Sequence, residues 1–197
     1  MAWMQSAQQP DSSALAGRFA WKVREQMNRY FVWIATAAFA GALTLQAQDN
    51  PLSSDAKRVY EGIKNNLTRM ADKMPEEHYN FQPTPEIRTF GQLVAHVADS
   101  QARNCSSVSG EAKDVGAAAK KSKAELVAAL KESFTICDAA FNALTDATAT
   151  QMVEGRRGPR PKLAVLNGVT THSNEEYGYM AVYLRLKGVV PPSSEGR

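Results

Sequence analysis

The stretch THSNEEYGYMAVYLRLKG, residues 171–188, reads as helix and sets His172 and Glu176 four residues apart on one face. An imidazole and a carboxylate at that spacing are a ligand pair for a divalent ion or a proton-handling pair. The apolar stripe Leu166, Val169, His172, Glu176, Met180 and Tyr183 advances in steps of three and four, so the pair falls on the face that should pack. A buried carboxylate is costly unless it is paired, protonated or bound to a cation. Glu176 therefore needs a partner from elsewhere in the chain.

The chain holds three histidines. One, His96, lies inside FGQLVAHVADS, a second amphipathic run. In a bundle about 30 Å long, rise per residue puts His96 about 10 Å below the end where residues 171–188 finish, and Glu176 about 20 Å above the opposite end. The depths agree. Two imidazoles and one carboxylate on a shared ion form a set that suits Zn, Ni, Mn or Fe, with positions left open. Such an ion lowers the pKa of bound water or thiol toward neutrality. The competing reading is a hydrogen-bonded core cluster, with His172 and Glu176 paired to each other, to Tyr177 or to Arg185. His78, in the Pro-rich segment PEEHYNFQPTPEIR, belongs to neither and is expected at the surface.

Four helices must position these groups. The first is expected to open at Ser53-Ser54-Asp55, with Val59, Ile63, Leu67, Met70 and Met74 facing a core and Pro75 ending it. Residues 75–88 carry three prolines and connect it to the second, which starts near Thr89, is marked by Phe90, Leu93, Val94, Val97 and Cys105, and fades at Ser109-Gly110. The third opens at Ser122, with Glu125 at capping-box spacing and a stripe of Leu126, Leu130, Phe134, Cys137, Phe141 and Leu144. The fourth spans about 162–187, and Gly188 with Pro191-Pro192 ends it; Asn167-Gly168 is a turn signal that would delay its start to about Thr170. Strand-like alternation is absent. The parts are those of an all-α four-helix bundle.

Cys105 and Cys137 test the connectivity. Each lies some four turns into its helix, so the thiols are level when the second and third helices run parallel and far apart when they do not. The connector 110–121 can span about 40 Å, enough to return the chain to the starting end. Level cysteines in an oxidising compartment would form a disulfide; two buried free thiols are the alternative.

Charge and leader bound the rest. The net charge of +3 includes Arg18, Lys22, Arg24 and Arg29 against Asp11 and Glu25 in residues 1–47; without them the balance is +1. The single basic run, residues 156–162, is short and broken by proline, and reads as a solvated loop. That excludes the dense basic face nucleic-acid binding needs. FVWIATAAFAGALTL, residues 31–45, follows Arg29 and ends near Ala47, the layout of a signal peptide over 27–47; residues 1–26, ahead of Met27, read as an over-extended start. At fifteen residues the run is short of the roughly 20 that span a bilayer. The expected location is exported, periplasmic or secreted, and cytoplasmic if the leader does not function. No Ser-His-Asp set, phosphate-cradling glycine loop or paired catalytic carboxylates appear.

Three blocks, RTFGQLVAHVADSQ, ELVAALKESFTICDAAF and HSNEEYGYMAVYLRLKGVVPPSS, together resemble the DinB-like family, over most of residues 53–194. The resemblance implies a four-helix bundle, up-down-down-up, with a long crossover between helices two and three. It also implies a divalent metal on one histidine of the second helix and two histidines four apart on the fourth. These positions fall on His96, His172 and Glu176, the last departing from the family's histidine. Glutamate can ligate, so the site either persists with altered metal preference or is a relic. Family members with known activity include metal-dependent transferases and isomerases that use low-molecular-weight thiols. The resemblance thus implies a thiol transferase or hydrolase-like enzyme with metal-activated thiol or water, and no residue is assigned a catalytic role. The alternative is a non-catalytic bundle with a structural or ligand-binding role. Expected partners are a small-molecule thiol or other small ligand and a second copy in a homodimer; no membrane contact is expected once the leader is removed.

Overall fold

A computed structural model describes residues 50–111, 113–155 and 158–196. The leader expected over 27–47 and the segment 1–26 lie outside the described residues. Four helices dominate: α1 (Pro51–Lys73), α2 (Phe90–Ser109), α3 (Lys123–Ala143) and α4 (Lys162–Leu186). A two-stranded hairpin, β1 (Met152–Val153) with β2 (Arg160–Pro161), stands just before α4. The all-α reading holds for the bundle; the hairpin lies in a stretch too short to show alternation.

The helix ends explain where each helix begins. Thr89 caps α2 through Oγ1, which accepts from Gln92 N, while Gln92 Oε1 accepts from Thr89 N. Ser122 and Glu125 form the same reciprocal box on α3. Each box satisfies two backbone N–H groups that the helix cannot. Gly110 and Gly188, with φ of 79° and 72°, close α2 and α4 in the left-handed region that glycine enters at little cost.

One start differs from expectation. Helix α1 begins at Pro51, not at Ser53-Ser54-Asp55, because proline suits the first helical position, where no N–H is needed. Its free N–H groups are met from a distance: Asp146 carboxylate oxygens accept from Leu52 N at 3.2 Å and from Ser53 N at 2.8 Å. Helix α4 begins at Lys162, as expected, and not at the alternative Thr170; Gln151 O and Ala149 O accept from Lys162 N and Leu163 N there. Asn167-Gly168 is carried inside the helix.

The core follows the expected stripes except at one position. Val59 is 43% exposed, and Tyr60, one residue on, is buried. The inward set on α1 is Ser53, Tyr60, Ile63, Leu67, Met70 and Ala71, with Met74 buried just past its end, a closer fit to the helix period. Tyr60 stacks on Phe141 at 4.0 Å between ring centroids and donates to Asp138 Oδ1 at 2.7 Å. All six stripe residues of α3 are buried, as are Phe90, Leu93, Val94, Val97 and Cys105 of α2. Full burial of one such aliphatic or aromatic side chain contributes about 1.5–3 kcal/mol.

Contacts at both ends set the helix directions. Gly91, at the start of α2, lies against Leu126, at the start of α3, and Cys105 is bonded to Cys137 near the far ends. Helices α2 and α3 therefore run the same way. Lys123 Nζ donates to Met74 O, and Tyr183 Oη donates to Arg88 O, so the ends of α1 and α4 meet the starts of α3 and α2. Helices α1 and α4 thus run opposite to the other pair. This arrangement brings the middle of α2 level with the middle of α4.

Candidate metal centre

His96 projects from α2, and His172 and Glu176 from adjacent turns of α4. The His96 and His172 Nε2 atoms are 3.1 Å apart, and each lies 3.5 Å from Glu176 Oε1. The rings meet edge to face, centroids 5.0 Å apart. For the 3.1 Å contact to be a hydrogen bond, one imidazole carries its proton on Nε2 and the other on Nδ1. Glu176 is 5% exposed, whereas both imidazoles keep an edge toward solvent. The carboxylate forms the floor and the rings form the walls.

Burial pushes the Glu176 carboxyl above its ordinary range, with His172 and Arg88 drawing it partly back. Burial likewise holds His96 below the ordinary imidazole value, helped by Arg88, His172 and Arg103 and opposed by Asp99. A neutral imidazole has a lone pair to offer. Glu176 Oε2 is buried without a hydrogen-bond partner among the described residues. An orphan of this kind costs about 1–3 kcal/mol and calls for an explanation.

The donor set fits a divalent ion. A triangle with sides of 3.1, 3.5 and 3.5 Å has a point about 2 Å from every corner, the length zinc takes to histidine nitrogen and carboxylate oxygen. One imidazole edge from each helix and one carboxylate oxygen converge there, and these are the only such group of three among the described residues.

Other pairings weighed for Glu176 do not form. Tyr177 Oη bonds Ser193 Oγ at 2.8 Å, and Arg185 Nη2 donates to Ser194 Oγ at 2.9 Å. Both side chains tie α4 to the tail instead. His78 sits half-buried in a short turn, Glu76–His78, away from the cluster. Cys105 and Cys137 are joined as a disulfide.

Sequence reasoning missed the surroundings of the cluster. A cleft of about 820 Å³ opens beside His96 and His172, walled by α2, α4 and the hairpin segment that carries Glu154 and Arg160. Gln101 and Arg103 line it from α2. Arg103 stands seven residues after His96, two turns along the same face, a spacing that was there to be read. Arg160, in contrast, reaches the cleft through the hairpin and left no periodic signal.

The family model described as the DinB superfamily matches residues 60–180. Among solved structures, a DinB-like protein from Bacillus cereus superposes with a TM-score of 0.62 at 18% identity, over 70% of this chain and 93% of that one. A DinB-like protein from Bacillus subtilis gives a TM-score of 0.53 at 16% identity, over 66% and 92%. A mycothiol-dependent maleylpyruvate isomerase gives 0.54 at 17% identity; the match covers 69% of this chain but 61% of the isomerase, which is the longer protein. These likenesses are of fold. No curated protein sequence matches the chain.

Proposed function

The chain belongs to the DinB superfamily, and from that membership together with the His96–His172–Glu176 cluster we propose that it is a divalent-metal enzyme of the thiol-transferase or hydrolase-like kind. One observation carries the reading: three donor atoms from two helices face one another at 3.1–3.5 Å while Glu176 Oε2 has no hydrogen-bond partner among the described residues. His96 Nε2, His172 Nε2 and Glu176 Oε1 would hold the ion. When bound, a Zn, Ni, Mn or Fe ion would make a thiol or water nucleophilic near neutral pH.

The residues of the chain do the rest. Helices α2 and α4 hold the two imidazoles at fixed depth, and the capping box at Thr89 and the disulfide at Cys105 restrain α2 on either side of His96. The exposed edges of His96 and His172 line the cleft, so a ligand reaches the cluster from there. The fold shared with a mycothiol-dependent isomerase makes a low-molecular-weight thiol the first cosubstrate to test. We read the protein as exported, on the apolar run at 31–45 and on the disulfide. Export would favour water over a cytosolic thiol as the activated group.

Elemental analysis of protein purified without an affinity tag tests the centre. Near-stoichiometric metal that is lost in His96→Ala and in His172→Ala supports it. The 3.1 Å contact between the imidazoles also serves a second reading, a hydrogen-bonded core cluster in a non-catalytic bundle. No uptake of any divalent ion would favour that one.

A further inference from the structure

The metal-ligating trio leaves the neighbouring cleft unused, and the cleft has a chemistry of its own. Arg103, Lys113 and Arg160 line it, against one acid, Glu154. The Arg103 guanidinium makes no ion pair or hydrogen bond among the described residues, although a guanidinium offers five N–H donors. Arg160 uses one donor, to Ala164 O at 2.9 Å, which fixes the hairpin to the first turn of α4. Asp99, one turn before Arg103 on α2, is already taken by Ala117 N at 2.8 Å and Ala118 N at 3.0 Å. Asp114 feels the Arg103 charge only at a distance, and no carboxylate pairs directly with the guanidinium among the described residues.

At the floor of the same cleft lies Gln101, 1% exposed, whose Nε2 and Oε1 both lack a hydrogen-bond partner among the described residues. A buried carboxamide with neither end satisfied is rare in a folded protein, since each orphan group forfeits its hydration. The disulfide at Cys105, one turn further along α2, ties this part of the helix to α3. A polar floor and a cationic wall beside two imidazole edges make a built recess.

We propose that this cleft binds a small carboxylate-bearing molecule, its carboxylate taken by Arg103 and Arg160 and a second polar group by Gln101, next to the His96–His172–Glu176 centre. Guanidinium recognises a planar carboxylate by paired, charge-assisted hydrogen bonds, and a carboxamide can both give and accept one. The inference names the substrate class for the site proposed above and rests on that reading for its chemical use. The recess itself does not require the ion. A molecule anchored there would present its far end to the exposed edges of His96 and His172, which line the same space.

Calorimetric titration with succinate, with uncharged succinamide and with inorganic phosphate tests this, on the full protein in chelator and again after zinc loading. Succinate is expected to bind in chelator, succinamide to bind at least about tenfold more weakly, and phosphate to compete poorly because it has no second polar group set apart from the anion the arginines would hold. Arg103→Ala is expected to weaken succinate about tenfold. Gln101→Leu should do the same, and Gln101→Glu should abolish binding by repulsion; a melting curve shows whether each folds. Equal binding of succinate and succinamide, or unchanged affinity in both Arg103→Ala and Arg160→Ala, would overturn the proposal. Succinate that binds only after zinc loading and ignores Arg103→Ala would also overturn it, placing the anion on the metal alone. Failure to take up zinc with succinate binding intact would instead remove the metal reading and leave the recess standing.

Discussion

The Nε2 atoms of His96 and His172 face each other at 3.1 Å although 76 residues separate them in the chain. Helix α2 and helix α4 run in opposite directions, and each contributes one ring to the same depth of the bundle. Glu176, one turn beyond His172, closes the triangle from beneath.

That triangle makes the metal affinity sensitive to each corner. Loss of His96 or His172 to alanine should weaken zinc binding by more than the roughly 10–100-fold typical of groups that only support a ligand. Glu176→His should tighten binding, because a neutral imidazole in place of the carboxylate removes a buried charge with an orphaned oxygen. Competition against a chromogenic chelator reads both. Affinity unchanged in the alanine variants would take the ion away from this cluster.

Cys105 and Cys137 close a loop of 32 residues that contains the end of α2 and the whole connector to α3. Chain-entropy arguments give such a cross-link about 3–4 kcal/mol of stability, through restriction of the unfolded chain. Urea unfolding of the Cys105→Ser, Cys137→Ser double variant should show a midpoint lowered accordingly, and reductant should have no further effect on it. Equal midpoints with and without reductant in the parent protein would contradict this.

Acid should weaken the seam between the start of α1 and the end of α3. Partial burial pushes the Asp146 carboxyl up, but hydrogen bonds from the Ser53 backbone and hydroxyl and from Leu52 N outweigh it and leave Asp146 below its ordinary value. A carboxylate depressed in the folded state stabilises above its unfolded pKa, near 3.9, and that contribution fades as pH falls through the lower folded value. Asp146→Asn should therefore be less stable than the parent at pH 7, and the gap should narrow below about pH 4. A gap that stays constant down to pH 2 would show that folding does not depress the Asp146 pKa.

Gly91 is a steric requirement and carries no unusual backbone angle. A Cβ there would stand 3.2 Å from Tyr79 O and 3.2 Å from Leu126 Cδ1. Leucine can turn aside, but the Tyr79 carbonyl is fixed, since it accepts from Gly91 N at 2.8 Å. Gly91→Ala should cost about 1–3 kcal/mol by overpacking, despite the better helix propensity of alanine. Thermal unfolding reads it, and a raised midpoint would show that the connector yields easily.

Much of the molecule was legible in the linear order of its residues. The capping boxes at Thr89 and Ser122 are local, each a matter of two side chains three positions apart, and both form as spacing required. The stripe on α3 is wholly apolar, so periodicity alone oriented it. On α1 the same method misplaced Val59, because two apolar neighbours competed for one inward position and only Tyr60 had Asp138 waiting across the interface. The start of α1 was missed for a related reason: Asp146 satisfies its first N–H groups from another part of the chain, and no local pattern announces that.

The same division runs through the site. Which residues bear ligand atoms, and that His172 and Glu176 share a face, follow from residue type and helical period alone. That His96 meets them within 3.5 Å, that Glu176 Oε2 is left without a partner among the described residues, and that Gln101, Arg103 and Arg160 line one cleft depend on how α2 and α4 are brought side by side. Helix period acts over a few residues and is written in the sequence. Convergence of groups 76 residues apart is a property of packing, decided only when the core excludes water and the helices settle against one another.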